Sequence, residues 1–233
     1  MAKSRFQSTE STRTESRTDS RTEHEYIRGN AEDRGPCPAL NALANQGYLP
    51  RDGKNMTVPQ VEAALREALS MTSSLAASNT RQLKSILHAD GTFNLTDLRQ
   101  HGVIEHDRSF TRRDFGDGGD NYTLQADMFR ALLDDAGGGP VTVKTLAKTY
   151  RRRAAEHKQS ARESLPLRVW FVNLAQSVSF FNVAQTGGGL SREVMDMFYV
   201  EERFPEEVLD NKRPRTLLGL VGNMVKLLFY IYI

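Results

Sequence analysis

The only cysteine of the chain, Cys37, stands between two prolines in Arg34-Gly35-Pro36-Cys37-Pro38-Ala39-Leu40. Proline has no N–H and holds φ at about −65°, so the thiol sits on a stiff, pre-shaped backbone. Ala39 to Asn45 reads as the start of a helix, with Pro38 suited to its first position. The sulfur then lies at the positive end of a helix dipole, which favours thiolate over thiol. A thiolate so placed suits an iron ligand of the kind that promotes O–O bond cleavage. Against this, a lone cysteine is commonly a small buried hydrophobe, and the proline frame by itself leaves the two readings evenly matched.

Three further stretches decide between them. The chain continues as Asn41-Ala42-Leu43-Ala44-Asn45-Gln46-Gly47-Tyr48-Leu49-Pro50-Arg51-Asp52-Gly53, and later carries Glu105-His106-Asp107-Arg108-Ser109-Phe110-Thr111-Arg112 and then Gly119-Asp120-Asn121. In this order and spacing the motifs resemble the fungal haem-thiolate peroxidases, the family of chloroperoxidase and the unspecific peroxygenases. The resemblance runs from about Arg34 to about Pro214. It implies a haem b held by Cys37 as thiolate ligand, with Pro36 and Pro38 shaping the loop. Hydrogen peroxide would be the oxidant of a small organic substrate, with halide as a second candidate. It also implies a magnesium ion beside a haem propionate. Glu105 would offer its carboxylate, His106 its backbone carbonyl and Ser109 its hydroxyl, an all-oxygen set that suits magnesium. His106 has a second implied role in the shorter, chloroperoxidase-like branch, where its ring orients an acid–base carboxylate at the distal pocket.

That carboxylate is where the chain departs from the family. The family pattern Phe-x-x-Gly-Glu-Ser-Ala aligns with the apolar stretch around Phe171-Val172-Asn173-Leu174-Ala175-Gln176-Ser177, and Gln176 takes the glutamate slot. Glutamine hydrogen-bonds a peroxide but cannot accept its proton. A second reading follows: a haem-binding member with impaired peroxygenase turnover, acting as a sensor or specialised biosynthetic factor.

The elements that must position these residues read as helices. Thr57-Val58-Pro59-Gln60 has capping-box spacing, and Val61, Leu65, Ala68 and Leu69 follow at helical intervals. This helix is expected to reach Ser73-Ser74. Others are expected over 79–89, from Asn94, and over 125–133, 141–157, 167–183 and 191–200. No alternating strand pattern appears, so the expected fold is all-α, a single compact helical haem-binding domain. Its span is 25–216, after a polar arm over 1–24 with nothing apolar to bury. Glu201-Glu202-Arg203 reads as structural, its charges pairing at helix ends. Residues 217–233 form an apolar tail broken by Asn223 and Lys226, shorter than the roughly 20 residues of a membrane span. It is expected to pack on the core, with membrane association the less favoured alternative, and its last five residues read more like strand than helix. With 233 residues and a formal charge of +2, no strong field calls for nucleic acid, and one cysteine excludes an internal disulfide. The arm lacks the apolar core of a signal peptide, so an intracellular protein is expected, although many members of the resembled family are secreted.

Overall fold

The computed structural model describes residues 23–159 and 164–233, and these form helices joined by loops. Most of the expected 1–24 arm lies outside the described residues. In chain order the α-helices are α1 (Pro38–Asn45), α2 (Val58–Leu69), α3 (Ser73–Thr80), α4 (Ala126–Asp135), α5 (Val143–Gln159), α6 (Leu167–Ala184), α7 (Arg192–Tyr199), α8 (Glu206–Leu209) and α9 (Leu217–Tyr232). Among the described residues there is no β-strand, only isolated bridges such as Met56 with Phe93.

Local signals explain most boundaries. Thr57 and Gln60 close a reciprocal capping box at the start of α2, satisfying two of the amides a helix end leaves open. The helix stops at Leu69, short of the expected Ser73-Ser74, because Ser70 turns to φ 47°. Thr72 then caps a separate helix, α3, which gives way to a 3-10 turn over Arg81–Ser85. Asn94 caps as expected, but only a 3-10 turn, Leu95–Arg99.

The long helices build the core. α9 packs on α5 and α6, α4 on α5, α2 on α3, and α1 on α7. The last five residues do not form a strand: α9 runs helical to Tyr232, with Ile233 N donating to the Phe229 carbonyl. Its buried side carries Leu220, Asn223 and Leu227. Asn223, the break in the apolar run, donates to Asn182 Oδ1 at 3.1 Å inside the core, so a buried amide is paired rather than wasted. At 16 residues α9 spans about 24 Å, and no helix among the described residues is long and apolar enough to cross a membrane.

The loop over 105–109 is held by charge. Arg108 has φ 71°, a left-handed conformation costing about 1–2 kcal/mol for a residue with a side chain. Asp114 holds it there, accepting from the Arg108 amide at 2.8 Å and from Arg153 Nη2 at 2.6 Å through one oxygen. Its other oxygen lies 2.9 Å from His157 Nδ1. Arg153 also donates to the Ser109 carbonyl at 2.8 Å. The loop is thus fastened to α5 at two points.

Burial pushes the Asp114 carboxyl up, but His157, the Arg108 amide and Arg153 outweigh it and hold the group below its ordinary value. A depressed carboxyl stabilises the fold fully above its unfolded pKa of about 3.9, and that stability is lost as pH falls through the lower folded value. Asp114→Asn is therefore expected to lower unfolding free energy by about 3 kcal/mol at pH 7, the scale of a broken buried pair. The gap to wild type should shrink as pH falls below about 3.9. Urea titrations at both pH values check this, and an equal gap at both would show that charge is not what fastens the loop.

Candidate functional site

Gly35 starts the site because nothing larger fits. A Cβ there would stand 2.4 Å from the Leu95 carbonyl oxygen. Without a side chain, its backbone pairs reciprocally with buried Asn41: the Gly35 amide donates to Asn41 Oδ1 at 3.1 Å, and Asn41 Nδ2 donates to the Gly35 carbonyl at 2.9 Å. Pro36 and Pro38 flank Cys37, which occupies the N-cap of α1. The Cys37 residue is partly exposed, but its thiol is desolvated. The expected preference for thiolate is not met in the free chain. Burial raises the thiol pKa, and this outweighs the opposing pull of the Leu40 and Ala39 amides and the Arg112 guanidinium. The helix dipole works as expected but acts on a desolvated sulfur. A metal that takes the thiolate must release its proton.

The second motif lies on the loop over 105–109. Glu105 is buried, and its Oε2 sits 2.7 Å from His101 Nδ1, whose ring stacks on Phe115. Burial pushes the Glu105 carboxyl up, against hydrogen bonds from His101 and Asn121. His101, Glu105 and Asp107 each offer a ligand atom within 4.8 Å of the others. This is a compact set for a cation, with His101 and Asp107 added to the expected Glu105. Ser109 is held through its carbonyl by Arg153.

His106 is 6% exposed. Its Nδ1 lies 2.8 Å from the Asp107 carbonyl, and a carbonyl only accepts, so Nδ1 carries the proton. Nε2 is left as an acceptor, buried and without a hydrogen-bond partner. A pocket of about 10 Å³, lined by Glu105, His106, Val169 and Val172 among others, adjoins it, enough for about one water-sized molecule.

Facing this pocket is α6. Asn173, missed at the level of sequence, is 2% exposed. Its Nδ2 donates to the Arg108 carbonyl at 3.3 Å, and its Oδ1 has no partner. Gln176 continues the face of Val169 and Val172 one turn further along, at helical spacing, and is exposed. Phe180, further along α6, stacks on Phe198 at 3.5 Å in the core. The only advance signal for Asn173 was a polar residue in an apolar helix, which it shares with Gln176.

The donor set fits a haem iron and its cation. It has a sulfur under helix amides, a carboxylate cluster, and a buried imidazole with a free acceptor. Because the chain has one cysteine, its chemistry is easy to isolate. In haem-free protein the alkylation rate of Cys37, followed by mass shift across pH, should half-titrate above the value for the urea-unfolded chain. A native midpoint at or below the unfolded one would contradict the dominance of burial.

Comparison with known proteins places the chain in a family. The family model described as peroxidase, family 2, matches residues 24–214. The chloroperoxidase of Leptoxyphium fumago is 34% identical over 124 residues, 47% of this chain and 33% of that protein. An aromatic peroxygenase of Coprinellus radians is 30% identical over 207 residues, 76% of this chain and 78% of that protein. The dothistromin biosynthesis peroxidase of Dothistroma septosporum is 30% identical over 135 residues, 49% of this chain and 32% of that protein. The matches to the chloroperoxidase and the dothistromin peroxidase thus span about a third of those proteins. With the family model matched over most of its length, the chain belongs to peroxidase family 2, the haem-thiolate peroxidases of the chloroperoxidase and aromatic peroxygenase type.

Proposed function

We propose that this chain is a haem-thiolate peroxidase or peroxygenase that uses hydrogen peroxide to oxidise or oxygenate a small organic substrate. The observation that carries this is Cys37 at the N-cap of α1, pre-shaped by two prolines. Bound haem b would supply the redox chemistry with peroxide. Cys37 would hold its iron, and the Ala39 and Leu40 amides would temper the charge on the sulfur. Glu105, the His106 carbonyl and Ser109 would hold magnesium beside a haem propionate, with His101 orienting Glu105 from 2.7 Å away. His106 Nε2, the buried acceptor, would take a hydrogen bond or proton from peroxide, and Nδ1–H on the Asp107 carbonyl would fix the ring. The chloroperoxidase relative supports halide as an alternative substrate.

One observation favours the second reading, a haem-binding protein with slow peroxide turnover serving as a sensor or biosynthetic factor. Among the described residues, α6 brings Arg168, Val169 and Val172 to the pocket beside His106, and no carboxylate. General acid–base catalysis contributes roughly 10²–10⁴ in rate, so its loss would be felt.

Stopped-flow mixing of the haem-loaded protein with peroxide separates these cases. Gln176→Glu should raise the rate at least about tenfold, a conservative share of acid–base catalysis, and adding His106→Ala should erase the gain. If Asn173→Asp gives the gain and Gln176→Glu does not, the acid–base slot belongs to Asn173. If neither does while haem binds normally, a carboxylate on α6 is not what turnover lacks.

A further inference from the structure

Behind the cysteine loop lies a pair of opposite charges. Arg112 is 3% exposed. Its Nε donates to the Tyr122 carbonyl at 3.1 Å, its Nη1 to Thr111 Oγ1 at 2.9 Å, and its Nη2 stands 3.6 Å from Glu202 Oε1. The same Glu202 oxygen accepts from Asn41 Nδ2 at 2.7 Å, and Asn41 is the residue that pairs with Gly35. The Asn41 amide in turn donates to the Cys37 carbonyl at 3.2 Å. A single carboxylate oxygen therefore joins a buried guanidinium to the frame of the cysteine.

The backbone is strained to make this connection. Glu202 takes φ 51°, which costs about 1–2 kcal/mol for a residue with a side chain. The conformation is held from the cysteine side. Asn45 Nδ2 donates to the Glu202 carbonyl at 3.0 Å, and Asn45 Oδ1 is fixed by two bonds from Arg34. A strained residue held this firmly in a buried site, with its charge aimed at another, points to a functional constraint.

We propose that Arg112 and Glu202 form a positioning pair whose opposed charges set the electron donation of the Cys37 sulfur to bound iron. This rests on the haem-thiolate reading. Asn41 bonds both the Cys37 carbonyl and the Glu202 carboxylate, and the Arg112 guanidinium stands 3.6 Å beyond that oxygen; a positive charge there favours negative charge on the sulfur and a negative one opposes it. In a site this poorly screened, removing either charge acts on the iron directly. The pair thus adds its field to that of the helix amides at the sulfur.

The test uses the full chain loaded with haem, reading the ferrous carbonyl Soret band and the ferric/ferrous potential. Glu202→Gln should shift the potential upward, because an unopposed positive charge favours the ferrous form. Arg112→Gln should shift it downward. The double variant should return towards wild type, and Arg112→Lys, which keeps the charge, should stay near it. Should Arg112→Gln fail to fold, Glu202→Gln and Arg112→Lys together decide. Loosening of structure alone would move both single variants in one direction. Shifts of equal sign, or unchanged potentials with an intact thiolate-type Soret band, overturn the proposal. A wild-type protein lacking that band instead overturns the haem-thiolate reading, so the two failures are distinct.

Discussion

The contact between Gly35 and Asn41 constrains everything around the sulfur. Two hydrogen bonds of 3.1 and 2.9 Å close a small ring between the loop before Cys37 and the first turn of α1. It needs a glycine, since the Leu95 carbonyl occupies the space a Cβ would take. It needs prolines on either side to spare the loop further backbone donors. Because Asn41 lies in the first turn of α1, the same ring fixes the direction of the helix dipole relative to the thiol. Asn41 then reaches Glu202, so the C-terminal part of the domain is built onto the cysteine frame.

The second motif depends on a different device. The loop over 105–109 has too little secondary structure to hold its own shape, and Arg108 sits in a conformation that opposes it. Asp114 and Arg153 supply the fixing energy from buried charge. The consequence is that His106 presents a fixed tautomer, with an unpartnered nitrogen towards α6. An imidazole on a mobile loop would find a partner for that nitrogen.

The parts legible in the sequence were local ones. The proline frame of Cys37 and the capping box at Thr57 depend on residues a few positions apart, and the structure places both as expected. The end of α2 was not legible, because Ser70 gives no composition signal for a left-handed turn. The C-terminal strand-like run was misread because α9 is anchored on the core further up, through Leu220, Asn223 and Leu227, and the helix continues past them against local propensity. At the site, Asn173 and Gln176 were indistinguishable as polar residues in one apolar helix. Only the rotation of α6 against the 105–109 loop decides which is buried. Glu202 was read as a charge pairing at a helix end, but it meets Asn41, 161 residues earlier in the chain. The thiolate preference of Cys37 failed for the same reason: the dipole is a local property, and the desolvation that outweighs it comes from residues packed around the loop.

The account stands on Cys37 as an iron ligand, and a reduced, carbon monoxide-saturated sample of the haem-loaded chain tests that most directly. It predicts the red-shifted Soret band that thiolate ligation gives a ferrous carbonyl, abolished by Cys37→Ala, since no second cysteine is present to replace it. A band at the position typical of imidazole ligation, or a red-shifted band that survives Cys37→Ala, would contradict it.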